Sequence, residues 1–275
     1  MKNLEIWENI LENNLGGKKM LLENKKILIM GIRNKWSIAW GAAKMAAENG
    51  AELIFTFMGE ENREKIEELL SEIPYKKAYS CDASSDEDIK RVFTEIKAEF
   101  GKIDGILHSI AHANTEDLRN PFINTSKEGF AHANDVSAYS FVAVARIAKE
   151  LDILNEEASL VSLTYYGSTK VLEGYNVMGV AKAALECSVR YLADNLGPEG
   201  IRVNAVSAGP IKTLSAKGIK DFNSMLGIVE QRAPLRRNVT QEEVGNAVVF
   251  MLSNMSRAIT GQVVYADNGY NIMGM

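Results

Sequence analysis

The stretch K-K-I-L-I-M-G-I-R-N-K-W-S-I-A-W-G, residues 25–41, sets the architecture of this chain. Its first seven residues form a short β-branched apolar run closed by Gly31, which reads as a buried strand followed by a sharp turn. Ser37 stands where a helix can begin and can cap it. The free amides of such a helix start favour a pyrophosphate. Gly41, one turn inside, allows close packing. The spacing is looser than G-x-G-x-x-G, and a glycine turn before a helix is also an ordinary connection. The weight of the stretch comes from the order of strands that it opens.

Outward from it, strand and helix alternate almost without pause. Helical patterns cover residues 37–49, 62–72, 84–100, 127–154, 175–196 and 241–254. Apolar strand-like runs cover 51–58, 77–81, 103–110, 159–165, 201–208 and 262–267. Residues 127–154 read as one long helix with a core-facing stretch A-Y-S-F-V-A-V-A-R-I-A. This alternation predicts an α/β fold: a Rossmann-type, doubly wound parallel sheet of about seven strands with helices on both faces. Ligands of such sheets lie at the carboxyl ends of the strands. Gly31, Met58, Asp82, Ile110, Tyr165 and Ala208 fall there.

No linker or repeat divides residues 21–275, which read as a single dinucleotide-binding and catalytic domain. Residues 1–20 read as an N-terminal extension with a short amphipathic pattern, Leu4, Trp7 and Leu11 beside Ile6 and Ile10. It packs on the surface or on a partner subunit, or it is a frayed end.

The 275 residues carry a formal net charge of −5, which argues against a nucleic-acid binder. Cys81 and Cys187 lie far apart without C-x-x-C spacing, so a disulfide framework is not expected and a reducing cytoplasm fits. Three histidines with no His/Cys cluster argue against a metal site. No apolar run reaches the roughly 18 residues of a membrane span.

Chemistry concentrates in S-L-T-Y-Y-G-S-T-K-V-L-E-G-Y-N-V-M-G-V-A-K, residues 162–182, which runs from strand through loop into helix. Tyr165, Tyr175 and Lys182 can handle protons and charge there. A fixed ammonium near a phenol favours phenolate and makes the phenol a better proton donor. Tyr175, Met178 and Lys182 follow an i, i+3, i+7 stripe and share a helix face. About 10 Å of helix separates Tyr175 from Lys182, so the two would meet through a cofactor rather than touch. A half-buried tyrosine and a surface lysine are the plain alternative.

Other strand ends supply further candidates. After the second strand comes F-T-F-M-G-E-E; Glu60 and Glu61 would repel a 2′-phosphate, which favours NADH over NADPH, although Arg63 is close. The glutamates can equally be a helix's acidic first turn. Asp82, beside Ala83, can accept from an adenine amino group or act as an N-cap. His108 ends a strand with Ser109, Ile110 and Ala111; it reads as a core histidine, and the same caution applies to His112 and His132. S-A-G-P-I-K-T-L, residues 207–214, turns at Gly-Pro and offers Thr213 near a pyrophosphate. The segment to Leu226 reads as a lid over an acyl chain or as a surface loop with a helix.

Together G-I-R-N-K-W-S-I-A-W-G, C-D-A, H-S-I-A, Y-N-V-M-G-V-A-K and S-A-G-P-I-K-T-L resemble the short-chain dehydrogenase/reductase superfamily. More narrowly, the chain is similar to the bacterial enoyl-acyl-carrier-protein reductases, from about Leu21 onward. The Tyr-x6-Lys spacing carries this, since the wider superfamily spaces the pair by four. The resemblance implies NADH-dependent reduction of a trans-2-enoyl thioester in fatty-acid elongation. Tyr175 would stabilise the enolate, Lys182 would fix the ribose, and Tyr165 would shape the site. It also implies that Gly31, Ser37, Ile38, Met58, Asp82, Ala83, Ile110, Lys182, Ile211, Lys212, Thr213, Leu214 and Ser215 touch the cofactor. Ala113, Met178, Ile219 and Phe222 would line the acyl channel. Acyl carrier protein is the implied partner and a homotetramer the implied assembly.

Three departures from the family pattern stand out: Ala111 for a common glycine, Ser215 for a small apolar residue, and Asn223-Ser224 where basic residues are frequent. Carrier docking would then use Lys220, Lys212 or Lys217. A carbonyl reductase, or a dinucleotide sensor without turnover, is the competing reading. The seven-residue spacing argues against the first, and the presence of both Tyr175 and Lys182 argues against the second.

Overall fold

In a computed structural model that describes residues 20–213 and 222–274, seven strands form one parallel sheet. They are β1 (Lys26–Met30), β2 (Glu52–Phe57), β3 (Lys77–Ser80), β4 (Ile103–His108), β5 (Leu154–Thr164), β6 (Arg202–Ala208) and β7 (Val263–Ala266). Their order is β3-β2-β1-β4-β5-β6-β7. The strand order reverses between β1 and β4, and a crevice opens there at the carboxyl ends.

Strand alternation divides the core in two. Ile27 and Ile29 join Leu53 and Phe55 in a cluster with α1 (Ile38–Glu48), α2 (Arg63–Leu70) and α9 (Gln241–Leu252). Leu28 and Met30 join the opposite cluster with α3 (Asp86–Phe100), α6 (Ser140–Glu150) and α7 (Asn176–Leu196). Burial on both faces explains why β1 is apolar throughout. At the open edge, β3 is short, and the Arg63 and Arg91 guanidiniums donate to the carbonyls of Ala78 and Ser80. Such charged cover discourages pairing with another chain.

Helices α1 and α9 cross at two glycines. A Cβ on Gly41 would lie 2.6 Å from both the Cβ and the carbonyl oxygen of Gln241, and one on Gly245 would lie 2.7 Å from the Gly41 oxygen. Backbone stands on the far side, so no side chain can swing away. Gly41→Val is therefore expected to destabilise the fold by about 2–3 kcal/mol, read as a lower denaturation midpoint at unchanged slope.

The single long helix expected over residues 127–154 is instead α5 (Lys127–Asn134), a π turn Asp135–Tyr139, and α6. It stops at Glu150, because Asp152 takes a left-handed φ of 49° and β5 begins at Leu154. Beyond Asn155, Glu156 and Glu157 the register of β5 on β4 shifts, which accounts for a strand longer than its apolar core. One helix stands outside the apolar pattern, α4 (Thr115–Arg119), too short to show a period; α8 (Phe222–Arg232) begins in the segment read as a lid or as a surface loop with a helix and runs past Leu226. Among the described residues no helix is long and apolar enough to cross a membrane.

Candidate active site

The turn after β1 presses against the turn after β4. Gly31 has φ 87°, and a Cβ there would meet the Ser109 oxygen at 2.4 Å and Ile110 Cγ1 at 2.9 Å. Only glycine satisfies both the positive φ and this approach. Ser37 caps α1 as expected: its Oγ accepts from the Trp40 amide at 3.3 Å and donates to the Asn34 carbonyl at 2.7 Å. Among the described residues no protein acceptor stands against the amides of Ile38 and Ala39. Those two amides at the positive end of an eleven-residue helix suit a phosphate.

Met58 directly follows β2 with 62% exposure, and its carbonyl accepts from Asn62 Nδ2 at 2.8 Å. Beyond it, Arg63 lies over the Phe57 ring, 5.2 Å from its centroid, and pairs with Glu60 and with Glu67 at 3.0 Å. The hydrogen bond from Arg63 lowers the Glu60 carboxyl below its ordinary range. The nearby cation is thus already held between two carboxylates. Asp82 is not the N-cap of α3. Ser85 takes that role, while the Asp82 carboxylate accepts from the Ser84 amide at 2.9 Å and hydroxyl at 2.7 Å. Ala83 is buried beside it.

At the end of β5 the tyrosines gather. The rings of Tyr165 and Tyr175 meet edge to face with centroids 5.1 Å apart. The series continues through Tyr166, 4.9 Å from Tyr165, to Tyr270, 5.4 Å from Tyr166. The Tyr165 hydroxyl donates to Met225 Sδ at 3.3 Å, which brings α8 against the site. Tyr175 is not within α7 as expected but caps its start, and its carbonyl accepts from the Met178 amide at 3.0 Å. Lys182, one face down, is 5% exposed and donates from Nζ to the Leu163 carbonyl at 2.8 Å. Burial pulls its ammonium down to about 8, opposed by the negative charge of Glu186.

These facts correct one expectation. The Tyr175 phenol is pushed above its ordinary value, first by burial and then by the Glu186 carboxylate. Burial likewise raises Tyr165, with Tyr175 adding to it. The ammonium does not acidify either phenol, because it is turned to the Leu163 carbonyl. Both phenols are neutral donors at neutral pH.

Ala113 and Tyr175 pack against an apolar cluster of Leu118, Ala133, Val177, Met178 and Ala181. Two of the expected acyl-lining residues, Ala113 and Met178, therefore come together next to the phenol. Ser137 of the π turn accepts from the His112 amide at 3.0 Å and donates to its carbonyl, holding the loop after β4 beside Met178. Of the segment after β6, Ile211 packs on the core, Lys212 is exposed, and the Thr213 amide donates to the Ile211 carbonyl at 2.7 Å. Leu214, Ser215, Lys217, Ile219 and Lys220 lie outside the described residues, as do residues 1–19 and the side chain of Phe222.

His108 is a core residue, as expected: its ring bonds Ser162 Oγ at 3.1 Å and Ser140 Oγ at 2.9 Å. Burial pushes its pKa down to about 3. His112 and His132 share a 2.7 Å hydrogen bond near the surface. Among the described residues no three His, Cys, Asp or Glu side chains gather as a metal site.

Sequence reasoning missed Met225, Tyr270, Thr164 and Glu186. The last is buried on α7 and accepts from Thr164 Oγ1 at 2.6 Å. A carboxylate four residues beyond Lys182 on an otherwise apolar face is the signal that could have found it.

A family model described as enoyl-(acyl carrier protein) reductase matches residues 31–271. The chain is 49% identical over 256 residues to the Bacillus cereus enoyl-[acyl-carrier-protein] reductase [NADH] FabI, covering 92% of this chain and 99% of that protein. It is 50% identical over 252 residues to the Staphylococcus aureus enoyl-[acyl-carrier-protein] reductase [NADPH] FabI, covering 91% and 98%. The crystal structure of the Anaplasma phagocytophilum enoyl-(acyl-carrier-protein) reductase in complex with NAD superposes with TM-score 0.90 at 40% identity, over 94% of this chain and 98% of that one.

Proposed function

The chain belongs to the enoyl-(acyl carrier protein) reductase family, and from that premise we propose the residues by which it works. It reduces the trans-2 double bond of enoyl-acyl-carrier-protein thioesters with NADH, a step of fatty-acid elongation. The observation that supports the site assignment is the meeting of Tyr175 and Tyr165 above the apolar wall of Ala113 and Met178, with Lys182 on the same helix face.

The residues present fit a dinucleotide: a glycine turn that a Cβ would fill and, among the described residues, two amides without an acceptor at a helix start and a buried hydroxyl without a partner, Ser207 Oγ, near the end of β6. Gly31, Ser37, Ile38 and residues 211–215 line the phosphates, Met58, Asp82 and Ala83 the adenosine, and Ile110 and Lys182 the nicotinamide ribose. Bound there, NADH supplies a hydride to the β-carbon of the enoyl thioester. Tyr175 donates a hydrogen bond to the thioester oxygen as negative charge builds on it. Tyr165 packs across from Tyr175 and fixes its ring. Lys182 offers a positive charge to the ribose below pH about 8 and loses it as pH rises through that value. Ala113, Met178, Ile219 and Phe222 hold the acyl chain.

Loss of NADH absorbance on adding a crotonyl thioester tests this reading. No oxidation with any enoyl thioester would overturn it, and turnover of 3-oxoacyl thioesters alone would move the chain to carbonyl reduction.

Coenzyme choice follows from the Glu60–Arg63 pair. Glu60→Ala removes one carboxylate and releases Arg63 toward a 2′-phosphate. The ratio of kcat/KM for NADPH over NADH should rise by about tenfold. An unchanged ratio would show that Arg63 stays held by Glu67 or points away.

Residues 21–275 act as one catalytic domain with residues 1–20 as an extension. The assembly is a cytoplasmic homotetramer that docks the acidic carrier protein through Lys212, Lys217 or Lys220. Light scattering of the purified protein checks the tetramer, and charge reversal at each lysine checks the docking.

A further inference from the structure

The end of β5 is tied to α7 by two polar contacts that neither the hydride transfer nor the coenzyme fit requires. Lys182 Nζ donates to the Leu163 carbonyl at 2.8 Å, and Thr164 Oγ1 donates to Glu186 Oε1 at 2.6 Å. The two α7 residues are one turn apart on the buried face, 5% and 7% exposed. Their β5 partners are adjacent residues, and Tyr165 follows directly. A carboxylate buried on a face otherwise made of Val177, Met178, Ala181, Leu185 and Val189 is costly unless it is paired. One hydroxyl donor does not offset a full charge. The Lys182 ammonium stands one turn away on the same buried face, and the negative charge of Glu186 works against the effect of burial on it.

We propose that Glu186 is a positioning residue for the reaction: anchored by Thr164, it serves as the buried counter-charge that keeps Lys182 protonated and aimed, and it sets the seat of Tyr165. It rests on Lys182 serving the coenzyme. Thr164 orients the carboxylate through its hydroxyl. Glu186 in turn holds Lys182 in its charged form against burial. Its charge acts on Tyr175 in the same direction, keeping the phenol protonated as a donor. Of the other titratable groups around Lys182, His108 on β4 is neutral throughout this range, and Tyr165 and Tyr175 are uncharged. Burial thus sets how far the Lys182 ammonium is pulled down, and Glu186 is the charge that opposes it.

The test reads Lys182 directly, in the protein without ligand. In chains labelled with 13C at lysine Cε, the Lys182 signal is assigned by its loss in Lys182→Met and titrated in wild type and Glu186→Gln. Glutamine keeps an oxygen for Thr164 and removes the charge. The wild-type midpoint is expected near 8, and the variant midpoint about one unit lower. NADH binding, followed by fluorescence, should then match wild type at pH 6 and be about fivefold weaker at pH 8. Coincident midpoints overturn the proposal. Should Glu186→Gln not fold, Glu186→Asp is read instead; its shorter carboxylate places the midpoint below wild type, and coincidence again overturns the proposal. A shifted midpoint with NADH binding independent of pH in both proteins would instead remove the coenzyme role of Lys182 and leave the Glu186 coupling standing.

Discussion

Replacing Tyr175 by phenylalanine is expected to lower kcat for enoyl thioester reduction by about a hundred- to a thousandfold, the effect of removing one hydrogen-bond donor from a developing oxyanion. The ring itself should stay in place. It packs edge to face on Tyr165 at 5.1 Å and against the cluster around Met178, and phenylalanine preserves both contacts. NADH affinity should change little, since the phenol is assigned to the substrate side. Steady-state kcat beside a direct NADH titration separates the two quantities. Equal losses in both would mean that the hydroxyl organises the coenzyme site. Burial keeps the phenol above its ordinary value, so this donor should not titrate below pH 9, and any basic limb in kcat should survive unchanged in the phenylalanine variant.

Lys182→Met is expected to weaken NADH binding by about ten- to a hundredfold, the loss of roughly 1.5–3 kcal/mol carried by a charged hydrogen bond. Methionine keeps an unbranched buried chain, so the packing of α7 on β5 is largely retained. Two groups are nevertheless stranded: the Leu163 carbonyl loses its donor and the Glu186 carboxylate its counter-charge. The thermal midpoint should therefore fall as well. The sign with pH distinguishes the coenzyme effect. Wild type loses its own ammonium above about 8, so the affinity gap should be widest at pH 6 to 7 and close as pH rises beyond 8. A gap that is constant with pH would trace the loss to packing and not to charge.

Much of the scaffold was legible because it is written locally. The apolar run of β1, the glycine turn and the Ser37 cap each depend on neighbours within a few residues, and each lies where the sequence indicates. The Tyr-x6-Lys spacing also predicted a shared face, and Met178 and Lys182 are both buried on it. Longer helices were less legible. Residues 127–154 have helical periodicity throughout, but the π turn at Asp135–Tyr139 and the left-handed Asp152 are set by docking onto α7 and by the entry into β5. The short α4 carries too few turns to reveal a period at all.

By itself, the sequence determined which side chains could do chemistry and which strand ends they follow. Only the tertiary structure decided their states. Thr164 reaches Glu186 across 22 positions, and the C-terminal Tyr270 closes the row of rings that begins at Tyr175. Arg63, near enough in sequence to hold a 2′-phosphate, is taken by Glu60 and Glu67. The ammonium of Lys182 was expected to acidify a phenol, yet it turns to the Leu163 carbonyl, and burial moves both phenols the other way. The reason is that a charge is governed by its loss of water and by the one partner it reaches. Both are properties of what the whole chain packs around a residue, whereas strand, turn and helix are properties of what stands beside it.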